Sequence, residues 1–181
     1  MQNLKGINMT VLEVLLLGDP SLRDICENVN DTSRTTVLLE DLKDTLTQLQ
    51  EYYNMGRGLA APQLGYKKRV VYIQMPERSF YLINPSILSR SKETFEVWES
   101  CFSMKASFFV KISRNRSIEV EYQDKDGIRH TEEFTDGMSE LLQHEIDHLD
   151  GILCSDHIRE PSEIVMYEEW TKRYRKEGVG M

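Results

Sequence analysis

Cysteine, proline and cationic side chains are all scarce in this chain, and each shortage excludes something. Three cysteines in 181 residues, Cys26, Cys101 and Cys154, are too few and odd in number for a disulfide framework. They suit a reducing compartment, where a thiolate can act as ligand or nucleophile. Five prolines and ten glycines are spread without any linker-like tract, repeat or low-complexity run, so one domain over residues 1–181 is expected. Lys and Arg number 22 against 30 Asp and Glu, a net charge of −8, which argues against a nucleic-acid or anionic-membrane partner. The local run Lys67-Lys68-Arg69 reads as a solvated turn. The apolar run at 11–17 is short and broken by Glu13, with no small-residue cleavage site after it, so no secretory signal is expected. Nothing approaches the length of a membrane span. A cytoplasmic location follows, and the N-glycosylation sequons at Asn8, Asn30 and Asn115 are then chance matches.

What is present is ordinary for a globular protein: 40% hydrophobic and 29% charged residues. Gly18-Asp19-Pro20 reads as a turn from which Pro20 starts a short helical piece. Leu38, Leu39, Leu42, Leu46, Leu49 and Tyr53 recur at helical spacing and predict an amphipathic helix over 37–53. Residues 31–33 offer N-caps for it, and the stretch 54–58 ends it. Strand-like runs follow at 69–75, 80–87 and 94–98, then a hairpin of 117–123 and 128–134 about Asp126-Gly127. Thr135 or Asp136 can cap a helix running to about residue 150, with Gly151 as its C-cap. A last helix is expected at 162–177. A helix, strands and then helices point to an α+β fold.

The stretch that carries chemistry is Gln143-His144-Glu145-Ile146-Asp147-His148. Two histidines four apart lie on one face of a helix and can share a cation, and the glutamate beside the first can reach a water held there. A bare H-E-x-x-H on a surface helix is the competing explanation. Two cysteines compete as third ligand. Cys154 extends the pattern to H-E-x-x-H-x-x-G-x-x-C, like the metzincin proteases with cysteine in place of the last histidine, and Glu163 is a downstream carboxylate for the same reading. Cys101 lies far upstream between polar neighbours, Glu99 and Ser103. Cys26 and Cys154 suit the role of small buried hydrophobes better than Cys101 does.

Three spaced segments resemble the peptide deformylases, whose motifs run G-x-G-x-A-A-x-Q, E-G-C-x-S and Q-H-E-x-D-H-L-x-G. Here they read Gly56-Arg57-Gly58-Leu59-Ala60-Ala61-Pro62-Gln63, Glu99-Ser100-Cys101-Phe102-Ser103 and Gln143 through Gly151. Gly18 through Arg23 is also similar to that family's N-terminal segment. The resemblance selects Cys101 over Cys154 and implies antiparallel β-sheets around a central metal-binding helix, with N-terminal and C-terminal helices. It implies one divalent metal ion on Cys101, His144 and His148, iron(II) in the cell, with zinc, nickel or cobalt able to replace it. It makes Glu145 the proton shuttle, and it makes the Gln63 amide and the Phe102 backbone N–H the donors to an oxyanion. Gly58, Arg57 and Ser100 would border the substrate. The implied partner is the formylated N-terminus of a nascent peptide, presented by the ribosome, and the implied reaction releases formate from formyl-methionine. Asp147, Gln143 and Glu99 are expected to orient ligands or their neighbours.

Five positions depart from the family pattern. Ser100 stands for glycine, which would strain the backbone if φ is positive there. Phe102 stands for leucine and could narrow the groove. Lys105-Ala106 stands where a Pro-Gly-type turn is common, and no arginine lies in 105–112. Arg57 stands for an apolar residue beside a pocket meant for a methionine side chain. The metal chemistry survives these changes. They admit another formamide or small amide as substrate, or a binding role on a deformylase-like scaffold.

Overall fold

A computed structural model describes residues 11–175. The order is α1 (Thr36–Tyr53), β1 (Gly58–Ala60), β2 (Val70–Gln74), β3 (Ser79–Arg90), β4 (Thr94–Glu99), β5 (Phe108–Asn115), β6 (Ser117–Gln123), β7 (Arg129–Thr135), α2 (Asp136–Leu149), β8 (Ile164–Met166) and α3 (Tyr167–Arg173). Two sheets result, β1-β2-β3-β6-β7 and β4-β5-β8, and every pairing in them is antiparallel. The α+β expectation holds, with helices before and after the sheets.

Strand β2 shows how the core divides. Val71 and Ile73 face α2, whose Leu142, Ile146 and Leu149 pack there with Ile118, Val120 and Phe134 of the hairpin. Val70 and Tyr72 point the other way, onto Leu38, Leu42 and Leu46 of α1. This alternation is the period-two rule of a strand buried on both faces. A third cluster joins Val110 and Ile112 of β5 to Leu22, Cys101, Met104, Leu153 and Cys154. Helix α2 also touches β5, so it lies between the larger sheet and the smaller one.

Several boundaries differ from expectation for local reasons. Asp31 caps a separate 3-10 turn, Thr32–Arg34, and Thr35 begins α1 without a side-chain cap bond. Asn54 closes α1 in the left-handed conformation at φ 52°. Thr135 is the N-cap of α2, also without a side-chain bond, and Asp150 rather than Gly151 is its C-cap. Strand β5 was not expected, and it supplies the centre of the smaller sheet. The helix expected at 162–177 splits: Ile164, Val165 and Met166 pair with β5, and α3 starts only at Tyr167. Residues 176–177 of that expectation, and the Asn8 sequon, lie outside the described residues. The basic run is neutralised locally, Lys67 by Asp24, Lys68 by Glu27 and Arg69 by Asp150.

Candidate metal centre

The buried middle of α2 brings His144 and His148 onto one face, with ring centroids 5.0 Å apart. Cys101 follows β4 and meets them there: its sulfur and one ring nitrogen from each histidine lie within 4.8 Å of one another. Cys101 Sγ is 3.3 Å from His148 Nε2. Metal–sulfur and metal–nitrogen bonds of roughly 2.3 and 2.0 Å at tetrahedral angles would place two donors roughly 3.5 Å apart, so this spacing fits a shared ion. Cys154 is not part of this group; its sulfur is buried against Met104 Sδ at 3.8 Å, and burial pushes its thiol up to about 12. Cys26 is likewise buried, its thiol pushed up by desolvation to about 11. Glu163 is tied up with Arg159.

A buried charge network supports the cluster. Glu99, the last residue of β4, accepts from His144 Nδ1 at 2.8 Å, which turns Nε2 of that ring toward the sulfur. Arg114 grips both oxygens of Glu99 at 2.6 and 3.0 Å and reaches Asp147 at 2.6 Å. Burial would raise the Glu99 carboxyl, but His144 and Arg114 outweigh it and hold it down at about 2. Burial also opposes charge on Cys101 and His144. The neighbouring imidazoles nevertheless hold the thiol well below its ordinary value, and Cys101 and Glu99 hold His144 well above. A thiol set between two imidazoles is an arrangement that a divalent cation would bind by displacing protons.

Glu145 follows His144 and is buried, and its Oε2 has no hydrogen-bond partner among the described residues. Desolvation pushes its carboxyl up to about 7, with the two histidines opposing. Gly58 faces it so closely that a Cβ there would lie 2.5 Å from Glu145 Oε1, so only glycine leaves this approach open. Gln63 accepts from Ala60 N at 2.9 Å, and its amide nitrogen lies 3.4 Å from Cys101 Sγ and 3.2 Å from Ser103 Oγ. Phe102 opens a 3-10 turn beside the cysteine, and its ring lies against Gly56 and Tyr53. It thus packs toward α1 while one side lines a cavity of about 560 Å³. Arg57, Gly58, Gln63, Ser100, Glu140 and Glu145 line the same cavity.

Ser100 is not among the residues with positive φ, so the expected strain is absent; its hydroxyl donates to Phe108 O at 2.8 Å. In this segment it is Lys105 and Ala106 that are left-handed, at φ 53° and 48°. Asp147 serves Arg114 and His157, while the Gln143 side chain hydrogen-bonds Asn115 and Ser139 rather than any of the three clustered residues. Two site residues escaped the sequence reading. Arg114 continues the buried alternation of Val110 and Ile112, and Glu140 stands one helical turn before His144 and pairs with Arg57.

The family model described as polypeptide deformylase matches residues 11–163 of this chain. Peptide deformylase 2 of Clostridium perfringens is 36% identical over 159 residues, covering 87% of this chain and 99% of that protein. A crystal structure of a peptide deformylase from Synechococcus elongatus in complex with actinonin superposes with a TM-score of 0.77 at 27% identity, over 84% of this chain and 81% of the other. The Met-Ala-Ser-bound class I type b peptide deformylase of Acinetobacter baumannii gives 0.72 at 28% identity, over 83% and 99%.

Proposed function

The chain belongs to the peptide deformylase family, whose members are metal-dependent hydrolases, and we propose that it removes formate from the N-terminal formyl-methionine of nascent polypeptides by means of Cys101, His144, His148 and Glu145. The observation that carries this reading is the meeting of one thiolate and two imidazoles beside a buried carboxylate whose Oε2 has no partner among the described residues. Soft thiolate with imidazole suits iron(II) or zinc. We assign iron(II) as the cellular metal, one per chain, with zinc, nickel or cobalt as replacements. Bound by Cys101, His144 and His148, such an ion would supply Lewis acidity that makes hydroxide available from water near neutrality.

The chain's own residues account for the rest of the reaction. Glu145 accepts the proton released as water oxygen bonds to the formyl carbon. It returns that proton to the departing amine nitrogen as the C–N bond breaks, leaving formate and a free N-terminus. The oxyanion between these steps needs donors aimed at it. The Gln63 amide, beside the Cys101 sulfur, and the Phe102 N–H, at the start of its 3-10 turn, are assigned that role. Gly58 leaves room for the formamide against Glu145, and Arg57 and Ser100 border the substrate cavity. The whole chain, 1–181, acts as one catalytic domain, with formylated nascent chains emerging from cytoplasmic ribosomes as its substrates. Among the described residues no helix is long and apolar enough to cross a membrane.

The test is formate release from a formyl-methionyl tripeptide by anaerobically iron-loaded protein. Wild type releases formate and Glu145→Ala does not; a wild type that binds one metal per chain and releases none defeats the reading. Metal content separates it from the metzincin-like alternative, since Cys101→Ser should lose the ion and Cys154→Ser should keep it.

A further inference from the structure

We infer that the Arg57–Glu140 ion pair makes this site favour formylated N-termini whose first side chain ends in a hydrogen-bond acceptor, with methionine sulfoxide the nearest in shape to methionine. The inference rests on the deformylase reading above. Both residues line the cavity next to Glu145 and Cys101. Arg57 Nη2 lies 2.6 Å from Glu140 Oε2, and the two side chains retain 31% and 12% exposure. Nη1 also donates to the Gly137 carbonyl at 3.2 Å, so the first turn of α2 fixes the guanidinium at two points. Its Nε–H and the other terminal hydrogens find no acceptor among the described residues. Glu140 precedes His144 by four residues and shares its helix face, which puts the pair one turn from the reacting centre.

Such a wall treats side-chain ends unequally. An apolar end laid against the pair strips water from two charges and gives nothing back. An acceptor replaces that water with a charge-assisted bond from the guanidinium. Norleucine, methionine and methionine sulfoxide have nearly the same length, and before the terminal methyl they carry a methylene, a weakly accepting thioether sulfur and a strongly accepting S=O. A site that hydrogen-bonds its substrate rejects the analogue lacking the partner far more strongly than an apolar pocket rejects an added polar atom. The competing explanation is a staple that only ties β1 to α2. That role would change stability and leave the order of substrates alone.

The deciding experiment compares formyl-X-Ala-Ser peptides, with X each of the three residues, on the iron-loaded enzyme. The readout is the ratio of kcat/KM for sulfoxide to that for norleucine. Calorimetric binding of the deformylated product peptides is the second readout. Wild type should prefer sulfoxide by about tenfold. The double variant Arg57→Leu with Glu140→Leu, which strands no charge, should reverse the preference, mainly through KM. Glu140→Gln, which frees the guanidinium, should push it further toward sulfoxide. Formate release from all three peptides with a ratio unmoved in both variants overturns the inference and leaves the deformylase reading intact. If the double variant does not fold, Glu140→Gln alone decides, and an unmoved ratio there overturns it. No formate from any peptide with wild type defeats the deformylase reading, and the inference with it.

Discussion

Helices α1 and α2 lie against opposite faces of the same five-stranded sheet and are built on different rules. Helix α1 buries a leucine stripe, Leu38, Leu42 and Leu46, and leaves Val37 and Tyr52 exposed. Its stability comes from apolar area removed from water. Helix α2 is buried nearly all round, and its far face carries Ser139, Glu140, Gln143, His144, Glu145 and His148 out of solvent. Each buried polar group there needs a partner. Gln143 finds Asn115, His144 finds Glu99, and Glu140 finds Arg57. Glu145 Oε2 and His148 Nδ1 find none among the described residues. The sheet thus has a side specified by packing and a side specified by pairing, and the unpartnered carboxylate stands where the pairing side does chemistry.

The largest effect should come from touching that carboxylate. Glu145→Gln keeps its volume and removes the base, and kcat should fall by about 10²–10⁴-fold. Because the wild-type acid is buried with a free oxygen, the denaturation midpoint should hold or rise. Steady-state formate release and urea unfolding on the same preparation check both halves. A variant that lost activity and stability together would place Glu145 among the structural residues of α2 and blur the contrast between the helices.

Next in size are two substitutions that break one side each. Arg114→Leu strands Glu99 and Asp147 as buried or half-buried carboxylates and should cost about 3–5 kcal/mol. It should also release the His144 ring and weaken metal retention. On the other face, Leu42→Ala leaves a cavity worth about 2–5 kcal/mol, with metal content and kcat of the folded fraction unchanged. Metal analysis beside denaturant curves tells them apart. Equal loss of metal in both would mean that the two faces are not independent.

The sequence exposed the two sides unequally. Helical periodicity revealed α1 to within a residue because a leucine stripe is a pattern of like residues. The H-E-x-x-H spacing revealed which face of α2 matters. The supports were harder to see, since pairing partners come from distant segments and share no period. Arg114 sits in register after Val110 and Ile112 in β5, a strand that the sequence reading does not contain, so its burial is not legible there either. Glu140 reads as a solvated helix residue until Arg57, far away in sequence, meets it. Strand β8 hides in the expected helix because Ile164 and Val165 join the helical pattern of Tyr167, Trp170 and Tyr174. Their pairing to Phe108, Phe109 and Val110 is a tertiary fact.

The smallest effect tests a cost carried next to the cluster. The chain after Cys101 closes with Lys105 N–H on Phe102 O and Ala106 N–H on Cys101 O, the paired bonds of a Schellman turn. Lys105 occupies its left-handed position at φ 53°, where a Cβ is disfavoured. Lys105→Gly relieves that strain but makes the unfolded chain freer, so the net gain should be only about 0.5–1 kcal/mol, or roughly 2 °C in Tm. Activity should not change, because the turn already holds the Cys101 carbonyl. Lys105→Val, β-branched, should lose stability at the same position. If glycine destabilised instead, the lysine side chain would have to contribute more than its backbone costs, and the flank of the cluster would join the side of the molecule specified by pairing.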